Sequence, residues 1–263
     1  LRRKGPRGGG AWEEISWDQA LEELGGRLAA LRGRAGALGV VAPSVHDLRH
    51  ALQRRFATAL DARYVETSWA PSEPPLEAFA SIHGFSEGLQ YDLERAALVV
   101  SFGWDWLQAY SDPILAQRAY GRIRRDRSGN RGRVIQVEPR LSTTALKADH
   151  WIPLRAGTEA TLALGLAGVL IREGFYDREF IGRWTSGFEA FARRAASDYP
   201  AARVERECGV KEDRLLLLAR EMGDHQPCLV LGSRTESFEQ AAVHALNLLT
   251  GAVGGPAGVR HLT

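Results

Sequence analysis

The chain has 263 residues, of which 44% are hydrophobic and 25% are charged, and its formal net charge is +2. This length accommodates one large or two ordinary domains, and this composition excludes a chain that is mainly disordered. Acidic and basic residues are interspersed, so the sequence lacks the long basic run that is typical of nucleic-acid or anionic-membrane binding. No apolar run approaches the roughly 20 residues needed to cross a bilayer, which predicts that any membrane association is made through partners.

The beginning of the chain predicts an internal piece of a larger protein, and its two cysteines predict no metal cluster. It starts at Leu1 without an initiator methionine or a signal peptide, and we interpret it as a fragment. Cys208 and Cys228 are too far apart for a Cys-x-x-Cys knuckle. We therefore expect no iron–sulfur cluster within the chain and two structural or free thiols.

The first part of the chain reads as helix, strand, helix. Ser16 and Gln19 have the spacing of a capping box, and leucines at helical period follow, which predicts a helix over 17–32. A short β-branched run predicts a strand over 38–42, and helical spacing returns over 47–60. These elements predict a small N-terminal α/β segment.

A proline cluster then marks a domain junction. Pro71, Pro74 and Pro75 each remove a backbone donor and restrict the preceding residue. We expect residues 1–70 to form part of a split domain and residues 71–263 to form a dinucleotide-binding-like domain.

The second part of the chain alternates strands and helices. A continuous apolar run predicts a buried strand over 96–102, and three further buried strands are predicted over 133–137, 150–154 and 227–231. Asp112 followed by Pro113 is typical of a helix start. The alternation predicts an α/β fold with a mostly parallel, Rossmann-like sheet and helices on both faces.

Ligands of open α/β sheets bind beyond the carboxyl ends of the strands, so the residues that follow each predicted strand are candidates for a site. Gly103 permits a tight turn and a close approach of the backbone to a phosphate or a ring. Glu138 could accept the hydroxyls of a ribose and Arg140 could hold a phosphate, or the two could form a surface ion pair. Thr158 and Glu159 begin a helix, where either simple capping or anion and guanine binding accounts for both residues. We expect these strand-end loops to converge on one crevice.

Longer phrases of the sequence resemble the dimethyl sulfoxide reductase family of molybdopterin oxidoreductases. The most specific are VEPRLSTTA at 137–145 and ADHWIPLRAGTE at 148–159. Residues 12–21, 174–181 and 249–258 follow the order and spacing of the same family, so the resemblance covers nearly the entire chain.

The resemblance implies that residues 71–263 hold one half of a bis(molybdopterin guanine dinucleotide) cofactor. The implied contacts are the phosphate loop at Gly103 and Asp105, the ribose and phosphates at Glu138 and Arg140, the guanine at Gly157, Thr158 and Glu159, and the pterin at Gly232, Arg234 and Thr235. Asp105 departs from the family, which usually has asparagine there, and a carboxylate beside a pyrophosphate is unfavourable.

The resemblance also locates the position of the metal ligand. Family members have cysteine, selenocysteine, serine or aspartate at a site that reads Ser-Trp-Ala-Pro-Ser over 68–72 in this chain. Ser72 is either an oxygen ligand of molybdenum or tungsten or a helix cap. We expect His83, a lone histidine on a helical face, to be packed or solvated.

These features favour a subunit of a respiratory electron-transfer complex with a degenerate metal-ligand position, similar to the molybdopterin-like subunit of menaquinone reductase complexes. Such a subunit would have an iron–sulfur electron-transfer subunit and membrane or haem subunits as partners, at the periplasmic face of the inner membrane. The alternative within the family is an active molybdenum or tungsten oxidoreductase of the polysulfide/thiosulfate reductase or formate dehydrogenase type. The alternative outside the family is a nicotinamide-dependent dehydrogenase. The absence of Gly-x-Gly-x-x-Gly after any predicted strand counts against this alternative.

Overall fold

A computed structural model of the protein describes residues 1–34, 36–43, 48–67, 76–84, 89–110, 112–125, 131–233, 237–255 and 258–261. The chain divides into two compact units, Leu1–Ala70 and Pro71–Thr263, called unit 1 and unit 2 below.

Unit 1 combines two helices with two small sheets. Its elements are β1 (Arg2–Arg3), β2 (Trp12–Glu13), α1 (Trp17–Ala29), β3 (Gly39–Pro43), α2 (Leu48–Ala59) and β4 (Arg63–Thr67). β1 and β2 pair antiparallel, whereas β3 and β4 pair parallel. The predicted order of helix, strand and helix is confirmed, and β4 is a further strand that the sequence analysis missed.

Unit 2 contains the remaining elements. They are α3 (Leu76–His83), β5 (Leu89–Tyr91), a 3₁₀-helix (Leu93–Arg95), β6 (Leu98–Phe102), α4 (Trp106–Ala109), α5 (Pro113–Ile123), β7 (Arg133–Val137), α6 (Thr143–Lys147), β8 (His150–Ile152), α7 (Glu159–Glu173), α8 (Arg178–Trp184), α9 (Phe188–Asp198), α10 (Ala201–Cys208), α11 (Glu212–Asp224), β9 (Cys228–Leu231), α12 (Ser237–Leu249) and β10 (Val259–His261).

Two helices begin as their sequences predict. The N–H of Gln19 donates to Ser16 Oγ (3.2 Å) and the N–H of Ser16 donates to Gln19 Oε1 (3.0 Å), which completes the capping box of α1. Asp112 caps α5 by accepting from the N–H of Leu115 (2.9 Å), with Pro113 as the first helical residue. α1 ends three residues earlier than predicted, because its last turn tightens into i to i+3 hydrogen bonds.

The central sheet of unit 2 has four strands in the order β8-β7-β6-β9, and each neighbouring pair is parallel. The prediction of a mostly parallel α/β sheet is therefore confirmed. The strand predicted over 133–137 has the observed bounds, and the other three predicted strands extend one or two residues beyond the observed ones.

Alternate side chains of β6 enter two different cores. Val100 and Phe102 pack with side chains of α7, α11 and α12 on one face, whereas Val99 packs with Trp106 and side chains of α5 on the other. Neighbouring residues of a strand point to opposite faces, and all five residues of β6 are buried. The predicted cover of helices on both faces is thus confirmed.

α7 runs through the larger of these cores, and its packing depends on a glycine. A Cβ atom added to Gly165 would lie 2.3 Å from Cγ2 of Val204 in α10. Only a hydrogen atom fits there, so Gly165 allows α10 to approach the backbone of α7.

Cys208 and Cys228 are buried free thiols, as predicted. Burial raises the pKa of both thiols. No helix in the described residues is both long and apolar enough to cross a membrane.

Candidate functional site

The loops that follow all four strands of the central sheet meet at one crevice of about 300 Å³. Its lining consists of Gly103, Glu138, Pro139, Arg140, Gly157, Glu159, Ala160, Ser233 and Glu239. The predicted convergence of the strand-end loops is confirmed. The volume lies at the lower end of the roughly 300–1,000 Å³ typical of small-molecule sites.

Buried polar side chains shape the loop after β6. The carbonyl of Trp104 accepts from Ser101 Oγ (2.9 Å) and from Gln136 Nε2 (3.2 Å), and both side chains are fully buried within the sheet. Gly103 has φ +63°, and an added Cβ would lie 3.1 Å from Cβ of Ser233. Glycine at this position therefore brings the loops after β6 and β9 together.

The structure does not bring Asp105 to the crevice, in contrast to what the resemblance implies. Its Oδ1 accepts from the N–H of Thr144 (3.0 Å) and from the hydroxyl of Thr144 (2.6 Å). The N–H of Leu107 in turn donates to Thr144 Oγ1 (3.1 Å). Asp105 thus joins the loop after β6 to α6, and its charge is directed at hydrogen-bond donors of the protein.

Glu138 supplies a carboxylate at the crevice from a fixed backbone. The residue is 2% exposed, and its Oε1 accepts from the N–H of Ser142 (3.2 Å). Its carbonyl accepts from the indole N–H of Trp151 (3.0 Å), which anchors the turn after β7 to β8.

Arg140 is exposed at the rim of the same turn. Within the described part of the chain it has no ion-pair partner, so the surface pair of Glu138 and Arg140 considered from the sequence does not form. A guanidinium in this position is available for an anion.

The loops after β6 and β7 form two walls of the crevice, and the beginning of α7, which follows β8, forms the third. Thr158 occupies the predicted N-cap position, but the prediction that its side chain caps the helix is wrong, because its hydroxyl donates to the carbonyl of Arg155 (2.6 Å). Gly157 has φ +79° and precedes it, while Glu159 and Ala160 of the first turn line the crevice. This helix end therefore borders the crevice without a side-chain cap from Thr158.

The fourth wall, which follows β9, contains two residues that the sequence analysis did not identify, Ser233 and Glu239. Glu239 in the first turn of α12 is 5% exposed, and its carboxylate accepts from the N–H (2.7 Å) and the hydroxyl (2.5 Å) of Ser233. An acidic residue in the first turn of the helix that follows a strand is the sequence signal that could have indicated it. Of the other residues expected there, Gly232 is buried directly after β9, and Arg234 and Thr235 lie outside the described residues.

The charges of the crevice favour a ligand rich in hydrogen-bond donors. Glu138, Glu159 and Glu239 contribute carboxylates, and the cation of the lining is Arg140. Carboxylates accept from hydroxyl and ring N–H groups and repel phosphates, so one anionic group beside Arg140 and several donors elsewhere give the best match.

Two other features of unit 2 lie apart from this chemistry. A larger cavity of about 440 Å³ has a mainly apolar lining from α7, α9 and α12 and contains none of the predicted site residues. His83 packs edge-on against His244, with ring centroids 5.2 Å apart, as expected for a packed histidine. Burial, together with His83, lowers the pKa of His244 to about 3.

The predicted metal position, Ser72, lies outside the described residues. In the part of the chain that the structure covers, no group of three or more His, Cys, Asp or Glu side chains is placed to hold a metal ion.

Comparison with known proteins gives a consistent result over the whole chain. The profile of the molybdopterin oxidoreductase family matches residues 1–262. The thiosulfate reductase molybdopterin-containing subunit of Salmonella typhimurium is 26% identical over 98% of this chain and 34% of its own length. The menaquinone reductase molybdopterin-binding-like subunit of Nitratidesulfovibrio vulgaris is 29% identical over 96% of this chain and 36% of its own.

The fold has a counterpart among solved structures. Acetylene hydratase from Pelobacter acetylenicus superposes with a TM-score of 0.66 at 24% identity, over 99% of this chain and 36% of that protein. The chain thus spans about a third of the length of the relatives that it matches.

Proposed function

Because this chain belongs to the molybdopterin oxidoreductase family, we propose that its crevice binds the guanosine end of a molybdopterin guanine dinucleotide. One observation carries the proposal: the loops after four parallel strands meet at a crevice that combines a nearly buried carboxylate, Glu138, with the exposed guanidinium of Arg140. This is the place where open α/β sheets bind nucleotides.

The side chains present fit such a ligand. Glu138 would accept from the ribose hydroxyls, and Arg140 would hold a phosphate in two hydrogen bonds. Glu159 would accept from the ring N–H and the amino group of guanine, an edge that adenine does not offer. Gly103, without a side chain, lets the backbone approach the phosphates.

The family's cofactor, when bound, supplies molybdenum or tungsten for two-electron oxidation or reduction. In this chain we propose a degenerate metal position. The sequence has two cysteines, and both are buried, so neither is exposed as a thiolate ligand for a bound metal. The menaquinone reductase relative, which is itself named molybdopterin-binding-like, supports a role as a cofactor-binding-like subunit.

We propose that this subunit works within a respiratory complex, with an iron–sulfur subunit and membrane or haem subunits as partners at the periplasmic face of the inner membrane. The second candidate is an active molybdenum or tungsten oxidoreductase, which the similarity to the thiosulfate reductase subunit favours. Family membership weighs against the nicotinamide-dependent dehydrogenase.

Nucleotide titrations test the crevice. By isothermal titration calorimetry we expect GDP to bind more tightly than ADP. Arg140→Ala should weaken GDP binding about tenfold or more, because a charge-assisted hydrogen bond is lost. Glu159→Gln should reduce the preference for GDP over ADP. Arg118→Ala, an exposed arginine of α5 away from the crevice, is the matched control and should bind GDP like the wild type.

Elemental analysis tests the metal position. The protein purified with its natural partners should contain far less than one molybdenum or tungsten per chain. A stoichiometric metal would instead establish the active oxidoreductase, with an oxygen ligand such as Ser72 as the first candidate to replace.

A further inference from the structure

Unit 2 contains a second cavity, of about 440 Å³, that the proposed function does not use. It shares no lining residue with the crevice at the strand ends. Its volume falls within the roughly 300–1,000 Å³ typical of small-molecule sites. The floor consists of buried apolar side chains of four helices, namely Leu164 of α7, Ile181 of α8, Ala195 of α9, and Ala242, Ala245 and Leu249 of α12.

Aromatic side chains line the same cavity and keep part of their surface in contact with water. Phe188 and Phe191 are three residues apart on α9, so they lie on one face of this helix, and both are only partly buried. Phe238, in the first turn of α12, is 57% exposed. Exposed apolar surface around a concave, apolar floor is typical of a ligand-binding groove, because a ligand that fills it removes this surface from water.

The described lining contains one charged side chain, Arg194 of α9. Its Nε donates to Oδ2 of Asp198 (3.1 Å), and in the described part of the chain its two Nη groups have no hydrogen-bond partner. The side chain of Arg194 is 82% exposed, and an ion pair of this kind contributes little to stability. The guanidinium therefore remains available to an anion at the opening of an apolar cavity.

We propose that this cavity binds a small aliphatic carboxylate, with its hydrocarbon chain over the apolar floor and its carboxylate at Arg194. A ligand that is polar throughout, such as a sugar, does not fit, because its hydroxyls would lose water without gaining partners from the floor. The lining offers a cation and no carboxylate, which favours an anionic head group over a cationic one. An apolar peptide would cover the floor without an anion at Arg194.

Titration calorimetry with saturated fatty acids tests the proposal. The protein is purified with its natural partners, so that any other segment that covers the floor competes with the probe. Octanoate and decanoate should both bind, and each added CH₂ group should tighten binding about fourfold, because it removes further apolar surface from water.

A variant that fills the floor locates the site. Ala245→Leu should weaken decanoate binding at least tenfold, because the larger side chain takes up space in the cavity. GDP should bind to this variant as to the wild type, because Ala245 does not line the crevice. Ala241→Leu, at a half-buried position of the same lining, should repeat the result and serves where Ala245→Leu does not fold.

A variant that removes the charge tests the class of ligand. Arg194→Gln should weaken the binding of decanoate about threefold to fivefold and leave the binding of decanol unchanged, because only the carboxylate interacts with the guanidinium. Arg193→Gln is the matched control, because Arg193 is an exposed arginine of the same helix and does not line the cavity. This control should bind both probes like the wild type.

Three outcomes would overturn the proposal. One is a natural protein that does not bind decanoate, which would show that another segment or a partner covers the floor. Another is decanoate binding that both leucine variants leave unchanged, which would place the probe elsewhere on the protein. The last is an Arg194→Gln variant that binds decanoate as tightly as the wild type does, which would leave an apolar site without a preference for carboxylates.

Discussion

Replacing Asp105 with alanine decides whether this carboxylate serves the fold or the ligand. The side chain is 9% exposed, and its Oδ1 accepts two hydrogen bonds from Thr144, at 3.0 and 2.6 Å. Hydrogen bonds to a charged group contribute about 1.5–3 kcal/mol each, and two that share an acceptor are not additive, so we expect a loss of about 2–4 kcal/mol. At roughly 2–4 °C per kcal/mol, the melting temperature should fall by about 5–15 °C.

Two calorimetric measurements on Asp105→Ala distinguish a role in the fold from a role in ligand binding. Differential scanning calorimetry should show the lower melting temperature, and the affinity for GDP should stay within about threefold of the wild type, because Asp105 does not line the crevice. Asp112→Ala is the control, since it removes an exposed helix cap and should cost only about 1 kcal/mol. A tenfold tighter binding of GDP to Asp105→Asn, with no loss of stability, would refute the reasoning and indicate that the charge lies beside the phosphates.

Two further predictions concern stability. Gly165→Ala should lower the free energy of unfolding by about 1–3 kcal/mol in chemical denaturation, because the new methyl group overlaps Val204. The same change at Gly121 of α5, where an added Cβ meets nothing within 4 Å, should raise it by up to about 1 kcal/mol. Equal effects at both sites would contradict the packing argument. Because the pKa of His244 is lowered from 6.5 to about 3, the unfolded state binds more protons between these values. Stability should therefore decrease as the pH falls through this window, by about 1.5 kcal/mol between pH 6.5 and 5. His244→Gln should show a flatter dependence on pH in urea titrations, and an unchanged slope would show that other groups are responsible.

The strands of unit 2 could be predicted from the sequence because they are covered on both faces. In β6 every residue except Ser101 is apolar, which is what a strand buried among helices requires. β4 was missed because Arg63 and Glu66 are exposed on a short strand of a two-stranded sheet, where burial imposes little pattern on the sequence.

The crevice could be predicted only in outline. Gly103, Glu138 and Gly157 follow from the rule that ligands bind beyond strand ends, since it needs the strand positions and nothing else. The partner of Asp105 is 39 residues away on α6, and the contact of Glu239 with Ser233 depends on how α12 meets the end of β9. Such relations are fixed by the packing of elements distant in the chain, and the sequence of one segment does not contain them.

The place of β9 in the sheet also bears on how the protein acquires its site. β9 hydrogen-bonds to β6 although about 130 residues separate the paired positions Leu98 and Cys228. Closing so long a loop has a large entropic cost, and strand pairs of this kind form late. β6, β7 and β8 all precede β9 in the chain, so the side of the crevice formed by Ser233 and Glu239 comes from the part of unit 2 that is synthesised last.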